Sequence, residues 1–207
     1  MFPIGDDNSD RKRIPFLTYA LLLANGYLFY LELTRGVPFI EQWAFVPSRF
    51  ITDPLGELIT VFSSMFLHGG WLHLGSNMLF LIIFGDNVES RFGHIKFLIF
   101  YFLSGIAAVF TQFIFNMGSG GAYLGASGAI AGVLAAYLLL FPKNKIRVLM
   151  GFWVVRFPAI VVIGLWFILQ LVSSYNAFEG SLDGGGVAYF AHVGGFIAGF
   201  ILSFIFR

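Results

Sequence analysis

Long apolar stretches alternate with short polar or glycine-rich connectors along this chain, from Ile14 to Phe206. A helix that crosses a bilayer needs about 20 mostly apolar residues. The pattern predicts six such spans: Ile14–Leu33, Trp71–Phe84 with its flanks, Ile95–Phe115, Ala126–Phe141, Phe157–Tyr175 and Val187–Phe206. The second and fourth are short, so neighbouring protein is expected to cover their ends. The segment from Thr34 to Gly70 follows another pattern, with Pro38, Pro47 and Pro54 among Phe39, Trp43, Phe45 and Phe50. It reads as short amphipathic pieces lying at the membrane interface. "NMGSGGAYLG" is uncharged and glycine-rich, and such backbone dips below the surface only where protein or a water-filled cavity receives it. "NAFEGSLDGGG" bears Glu179 and Asp183. The predicted fold is an all-α membrane protein, a six-transmembrane-helix bundle with a long interfacial first exterior loop. Residues 1–13 form an N-terminal segment before residues 14–207, with no internal repeat and no separate domain.

Composition confirms the solvent. The chain has 207 residues, 58% hydrophobic and 11% charged, more apolar surface than a water-soluble domain of this length hides. A net charge of +1 leaves no electrostatic footprint for nucleic acid. With no cysteine, disulfides, thiolate catalysis and zinc–thiolate sites are excluded. "MFPIGDDNSDRKRIPF" carries charge where a signal peptide carries an apolar run, so no cleaved leader is expected. Lys and Arg sort between the connectors: Arg11, Lys12, Arg13, Arg91, Lys96, Lys143, Lys145, Arg147, Arg156 and Arg207 fall on one side, and only Arg35 and Arg49 on the other. The positive-inside rule then puts both termini in the cytoplasm. The expected setting is a prokaryotic cell (inner) membrane.

Ionisable or hydrogen-bonding side chains inside spans are expensive and by default mark function. Of the four histidines, His94 lies in a cytoplasmic connector beside Lys96 and is expected to be solvated. His68 is expected to brace the exterior loop. His192 lies a turn or two inside the last span, in "YFAHVGGFIAG", where a lone imidazole serves either as a structural hydrogen-bonder or as a base. Gly195 and Gly199 form a face that lets another backbone approach, and Gly195 shares a side with the imidazole. The natural partner is the glycine face of Gly128 and Gly132, in the span that begins at Ser127. Packing the two faces together brings a hydroxyl to an imidazole, the nucleophile and general base of acyl transfer. Neither span holds a carboxylate to orient the ring, so a dyad rather than a triad is expected. Small residues acting only as packing glue account for the glycines, but poorly for the depth of His192. His73 and Asn77 stand four apart at the start of a span and share a face. They are side chains of the kind that hydrogen-bond a developing oxyanion, and N–H groups at the start of the Ser127 helix add to them. A metalloprotease motif such as HExxH is absent, and no metal or cofactor is expected. The paired ionisable groups of a transporter are not visible either.

In this order the residues resemble the rhomboid family of intramembrane serine proteases, over nearly the whole chain. "GASGA" resembles the family's GxSG box, which implies Ser127 as nucleophile and Gly125 as part of the tight approach to it. "AHVGGFIAG" resembles the AHxxGxxxG segment, which implies His192 as base. "HGGWLHLGSNM" resembles the H-x4-H-x3-N segment, which implies oxyanion stabilisation by His73 and Asn77. "GDNVESRFG" resembles the GxxxExxxG segment, which implies that Glu89 and Arg91 are structural and tie their loop to its neighbours. The chain departs from the common pattern at Ile59-Thr60, where many members carry Trp-Arg, and at Ala131, where many carry an aromatic that stacks on the base. The resemblance implies a rhomboid-like bundle that cleaves single-span membrane proteins near the exterior membrane boundary, with those substrates and the lipid bilayer as its partners. The exterior glycines, among them Gly184–Gly186, are expected to let nearby segments open. The alternative is a catalytically inactive rhomboid-like membrane chaperone or client-binding protein.

Overall fold

The computed structural model describes residues 2–7, 11–179 and 187–207. In chain order its elements are β1 (Phe2–Gly5), α1 (Phe16–Arg35), α2 (Val37–Trp43), α3 (Pro47–Thr52), α4 (Leu58–Ser63) with a 3₁₀ turn at Ser64–Phe66, α5 (Trp71–Phe92), α6 (His94–Phe115), α7 (Ser127–Leu140), β2 (Lys145–Met150), β3 (Trp153–Pro158), α8 (Ala159–Phe178) and α9 (Tyr189–Phe206). The chain is mostly helical and its long apolar helices mark an integral membrane protein. By length and composition α1, α6, α8 and α9 each suffice to cross a membrane. A fifth span results if α4 with its turn and α5, bent by 87° at the break, count as one.

That count is lower than the six expected, and α7 and α5 explain why. α7 has 14 residues, about 21 Å of helix at 1.5 Å per residue. Every residue from Gly128 to Tyr137 is buried, so protein, not lipid, is its surroundings. α5 does not stop near Phe84 as expected. It runs to Phe92 and buries Asp86, Asn87 and Glu89, which lowers its hydropathy while its polar groups find partners inside the protein.

Glu89 shows how. α1 starts after Pro15 with no side-chain cap of its own, so its first N–H groups need acceptors. The Glu89 carboxylate accepts from the N–H of Leu17 (3.0 Å) and from the N–H and hydroxyl of Thr18 (both 2.7 Å). A negative charge at a helix N-terminus is also favoured by the helix dipole. His94 lies 2.6 Å from the same carboxylate, with its ring 4.1 Å from that of Phe16. The expectation of a solvated His94 is corrected: the adjacent buried acid draws it in. Arg91 is exposed, whereas Glu89 ties this end of α5 to the start of α1.

The mostly helical fold agrees with the all-α expectation, with one addition. β1, β2 and β3 form an antiparallel sheet in that order, built from the N-terminal segment and the basic connector. Lys145-Ile146-Arg147-Val148 alternates with period two, the signature of a half-buried strand, and Ile146 and Val148 are buried in the bundle core. Phe157, expected to open a span, belongs to β3. The exterior segment between α1 and α5 holds α2, α3 and α4. The Arg49 guanidinium donates to the carbonyls of Glu41 and Ala44 and lies 3.1 Å from the Glu57 carboxylate. Thr60 is buried, its hydroxyl bonded to the Glu57 carbonyl. The brace of this loop is thus an arginine other than the one commonly found at the Thr60 position.

Candidate active site

The glycine-rich segment before α7 is clamped into place by the exterior loop. Phe45 and Tyr123 exchange backbone hydrogen bonds of 3.1 and 2.8 Å, and the Gly125 N–H donates to the Ser64 carbonyl at 2.8 Å. Gly125 has φ +129°, a region that disfavours L side chains. A Cβ there would also stand 2.9 Å from Nε2 of His73. Glycine at this point lets the chain turn into α7 beside His73, with Ser127 as the first helical residue.

Across from Ser127 lies α9. A Cβ on Gly195 would collide with the Gly128 carbonyl, and one on Gly199 with the backbone of Gly132. The two glycine faces therefore meet at backbone contact, and that closeness brings Ser127 Oγ to 2.7 Å from His192 Nε2. Gln112 of α6 steadies the start of α9, its side-chain oxygen accepting from the Ala191 N–H at 3.1 Å.

The other ring nitrogen, His192 Nδ1, lies 2.7 Å from Oε1 of Gln170 on α8. An amide oxygen only accepts, so Nδ1 carries the proton. Nε2 is then the acceptor for the serine hydroxyl. Trp166, one turn before Gln170, walls the imidazole at a centroid distance of 5.9 Å. The ring is thus held by α8, which accounts for the absence of an aromatic at the buried Ala131.

His73 and Asn77 line the same cavity as Ser127, Trp166 and His192, a space of about 790 Å³. His73 Nδ1 accepts from the Gly69 N–H at 3.3 Å, which leaves Nε2, the nitrogen beside Gly125, as the donor of a neutral ring. The amide nitrogen of Asn77 is buried with no partner among the described residues. His68 sits one layer back. Its backbone N–H donates to the Glu32 carboxylate at 3.0 and 3.1 Å, and its ring meets His73 edge-on at 5.0 Å.

The structure therefore gathers Ser127, His192, His73 and Asn77 at one cavity, with Gly125 packed against His73 beside it and Gly128, Gly132, Gly195 and Gly199 at the contact behind it. Glu89 and Arg91 lie away from it. Gly184–Gly186, expected to give freedom of opening, lie outside the described residues. Sequence reasoning missed Gln170, Trp166 and Gln112. The signal for both glutamines was present, since a lone amide in an otherwise apolar span invites a search for its partner.

Similarity to known proteins bears on kinship. A family model described as "Rhomboid domain" matches residues 55–207. The chain is 32% identical over 188 residues to "Rhomboid protein 1, mitochondrial" of Saccharomyces cerevisiae, covering 88% of this chain and 51% of that protein. It is 34% identical over 153 residues to "RHOMBOID-like protein 1" of Arabidopsis thaliana, covering 72% of this chain and 35% of the relative. It is 32% identical over 147 residues to "Inactive RHOMBOID-like protein 8" of the same plant, covering 69% and 36%. The chain thus spans about half the length of these curated relatives or less.

Proposed function

This chain belongs to the rhomboid family, and on that premise we propose that it is an intramembrane serine endopeptidase. The observation that carries the reading is the relay Ser127–His192–Gln170 opening onto a cavity that His73 and Asn77 also line. Ser127 Oγ attacks the scissile carbonyl carbon while Nε2 of His192 takes the hydroxyl proton. The ring keeps its proton on Nδ1, donated to the side-chain amide oxygen of Gln170 throughout, so it neither rotates nor changes tautomer. Charge gathers on the former carbonyl oxygen and is met by His73 Nε2–H, the Asn77 amide and N–H groups of the first turn of α7. The imidazolium returns its proton to the leaving amine as the C–N bond breaks. Water, deprotonated by the same nitrogen, then hydrolyses the ester on Ser127 and frees the new carboxyl end.

The reading places the substrate class as well. Six spans follow if α5 and the sheltered α7 also cross, and with the basic connectors inside, both termini are cytoplasmic and Ser127 lies just inside the exterior end of its helix. Single-span proteins are then cut near their exterior boundary, after a small residue such as Ala, where local unwinding exposes the scissile bond. The mitochondrial relative gives no support to the expectation of a prokaryotic inner membrane, and the proposal does not include it. One relative is named inactive, which keeps a client-binding role as the second reading. The presence of both Ser127 and His192 at 2.7 Å favours the enzyme. A serine-reactive fluorophosphonate separates the two: the enzyme reading expects covalent labelling at Ser127, lost in Ser127→Ala. Failure of the wild-type protein to label at all would favour the client binder.

A further inference from the structure

The sheet at the basic end of the bundle carries a surface that the protease chemistry does not use. β2 and β3 are joined by Gly151-Phe152, with Met150 opposite Trp153. Gly151 has φ +60° and Phe152 does not have positive φ. A two-residue hairpin with positive φ at the first central position only follows the type II′ pattern, and glycine meets it. The turn forces Phe152 to the apex, where it is fully exposed. Hairpin apices in water are built of polar and small residues.

Register extends the anomaly to both faces. Phe2, Leu149 and Val154 form one row across the three strands, on one face. Met150 and Trp153 pair on the other. All five are exposed. Nearer the bundle the sheet changes character: Ile146 and Val148 are buried, while Arg147 and Arg156 stand directly opposite each other on the outer face. Like charges in that position repel. Lys145 shares their face, and the three basic side chains line a cleft of about 430 Å³ together with Asp6 and Asp7.

We propose that this hairpin is a lipid-binding anchor, its apex immersed in the headgroup and acyl boundary of the adjacent leaflet and its basic base paired with anionic headgroups. A protein partner covers one face of a sheet, whereas here both faces and the apex are apolar, and only a surrounding solvent of intermediate polarity suits all three. Trp and Phe with flanking Lys and Arg make up the residue set of membrane interfaces, and a polybasic base is drawn to anionic lipid. β3 leads directly into α8, a helix long and apolar enough to cross a membrane, which exposes Ile160, Val161 and Ile168. Among the described residues the outer edges of β1 and β3 carry no further strand, so immersion stops at headgroup depth, where water and lipid oxygens satisfy their backbone groups. The inference rests on the chain being a membrane protein and not on its being a protease.

The chain has no cysteine, so Phe152→Cys carries a single environment-sensitive fluorophore without further substitution. The labelled full-length protein is placed in nanodiscs of phosphatidylcholine, with or without phosphatidylglycerol, and Lys143→Cys and Ile168→Cys serve as aqueous and lipid references. The proposal expects blue-shifted emission at position 152, strong quenching by lipid bearing a doxyl group near the headgroup, and several-fold less quenching by aqueous iodide than at position 143. Phosphatidylglycerol should deepen the lipid quenching, and Arg147→Gln with Arg156→Gln should remove that increment while leaving thermal unfolding unchanged. Emission and iodide access at position 152 equal to those at position 143 would overturn the anchor. Shielding from both quenchers would overturn it in favour of a second copy of the chain. A lipid response blind to phosphatidylglycerol and to both arginines would overturn the anionic-headgroup half. None of these readouts needs proteolysis, so the outcome is independent of the proposed activity.

Discussion

At its first turns α5 sets His73 beside a nearly buried Asn77, and at its last turns the same helix buries Glu89 outright. At the far end both carboxylate oxygens are taken, one by the Leu17 N–H and His94, the other by the N–H and hydroxyl of Thr18. At the near end the Asn77 amide nitrogen has no partner among the described residues, and His73, whose Nε2 lies beside Gly125, lines the same cavity. An unmade buried hydrogen bond costs about 1–3 kcal/mol, so the open Asn77 donor at the cavity gains from a filler. On the proposed reading that filler is a charge that exists only during the reaction. The closed end holds helices together, and the open end, on the proposed reading, waits for a transition state.

Substitutions at the two ends should therefore fail in different ways. The largest effect on the fold is expected from Glu89→Ala, which strands two α1 N–H groups, the Thr18 hydroxyl and His94. Removing one member of a buried charged network costs about 3–5 kcal/mol, to be read as a large drop in unfolding temperature in detergent. An Ala variant as stable as wild type would erase the contrast. Asn77→Ala should leave unfolding unchanged and lower turnover by about 10²–10³, the usual loss for one oxyanion donor. His73→Ala should be at least as severe. A lowered unfolding temperature with normal turnover in either variant would reassign that residue to the structural class.

A smaller effect tests the residue that orients the base. Gln170→Ala should reduce turnover roughly 3- to 10-fold, the equivalent of one net hydrogen bond of about 0.5–1.5 kcal/mol, with the Michaelis constant unchanged. Gln170→Glu, which keeps an oxygen acceptor for Nδ1–H, should restore turnover. Equal loss in both variants would mean that Gln170 acts by packing alone.

The smallest effect lies at the sheet. Asp6 accepts a 2.6 Å hydrogen bond from the Tyr137 hydroxyl, and burial pushes its carboxyl up to about 6. A raised carboxyl favours the folded form while protonated. Its contribution is full below the ordinary value of 3.8 and is lost as pH rises through about 6. The protection of the Phe2–Gly5 amides against hydrogen exchange, taken relative to the intrinsic rate at each pH, should accordingly fall between acidic and neutral pH in wild type and stay level in Asp6→Asn. Identical pH dependence in the two proteins would remove Asp6 as the cause.

How much of this was legible in the chain follows from where each signal sits. Ser127 and His192 could be paired from sequence because each lies beside a glycine face in its own span, and two such faces have few other places to go. His73 and Asn77 shared a helix, so their common face needed only the helical repeat. Gln170 stood out as a lone amide, but its pairing with His192 depended on how α8 is rotated against α9, which the apolar residues around it do not encode. The sheet was hidden because "FWVVRFPAI" reads as the approach to a span, and because β1 pairs with a strand more than 140 residues away. His94 went wrong for a similar reason: its charged neighbours suggested water, while Glu89, five residues before it, waited inside the protein.

The central claim, that Ser127 and His192 act as nucleophile and base, is tested most directly by cleavage of a single-span substrate by the reconstituted full chain. Wild type, Ser127→Ala and His192→Gln are compared from about pH 5 to 9, a range that spans the ordinary histidine value of about 6.5, with product termini mapped by mass spectrometry. The account predicts cuts clustered at the exterior boundary for wild type alone, with a rate that is low while the imidazole is protonated and high once it is neutral, and no product from either variant at any pH. A Ser127→Ala or His192→Gln protein that keeps most of the wild-type turnover at neutral pH would contradict it.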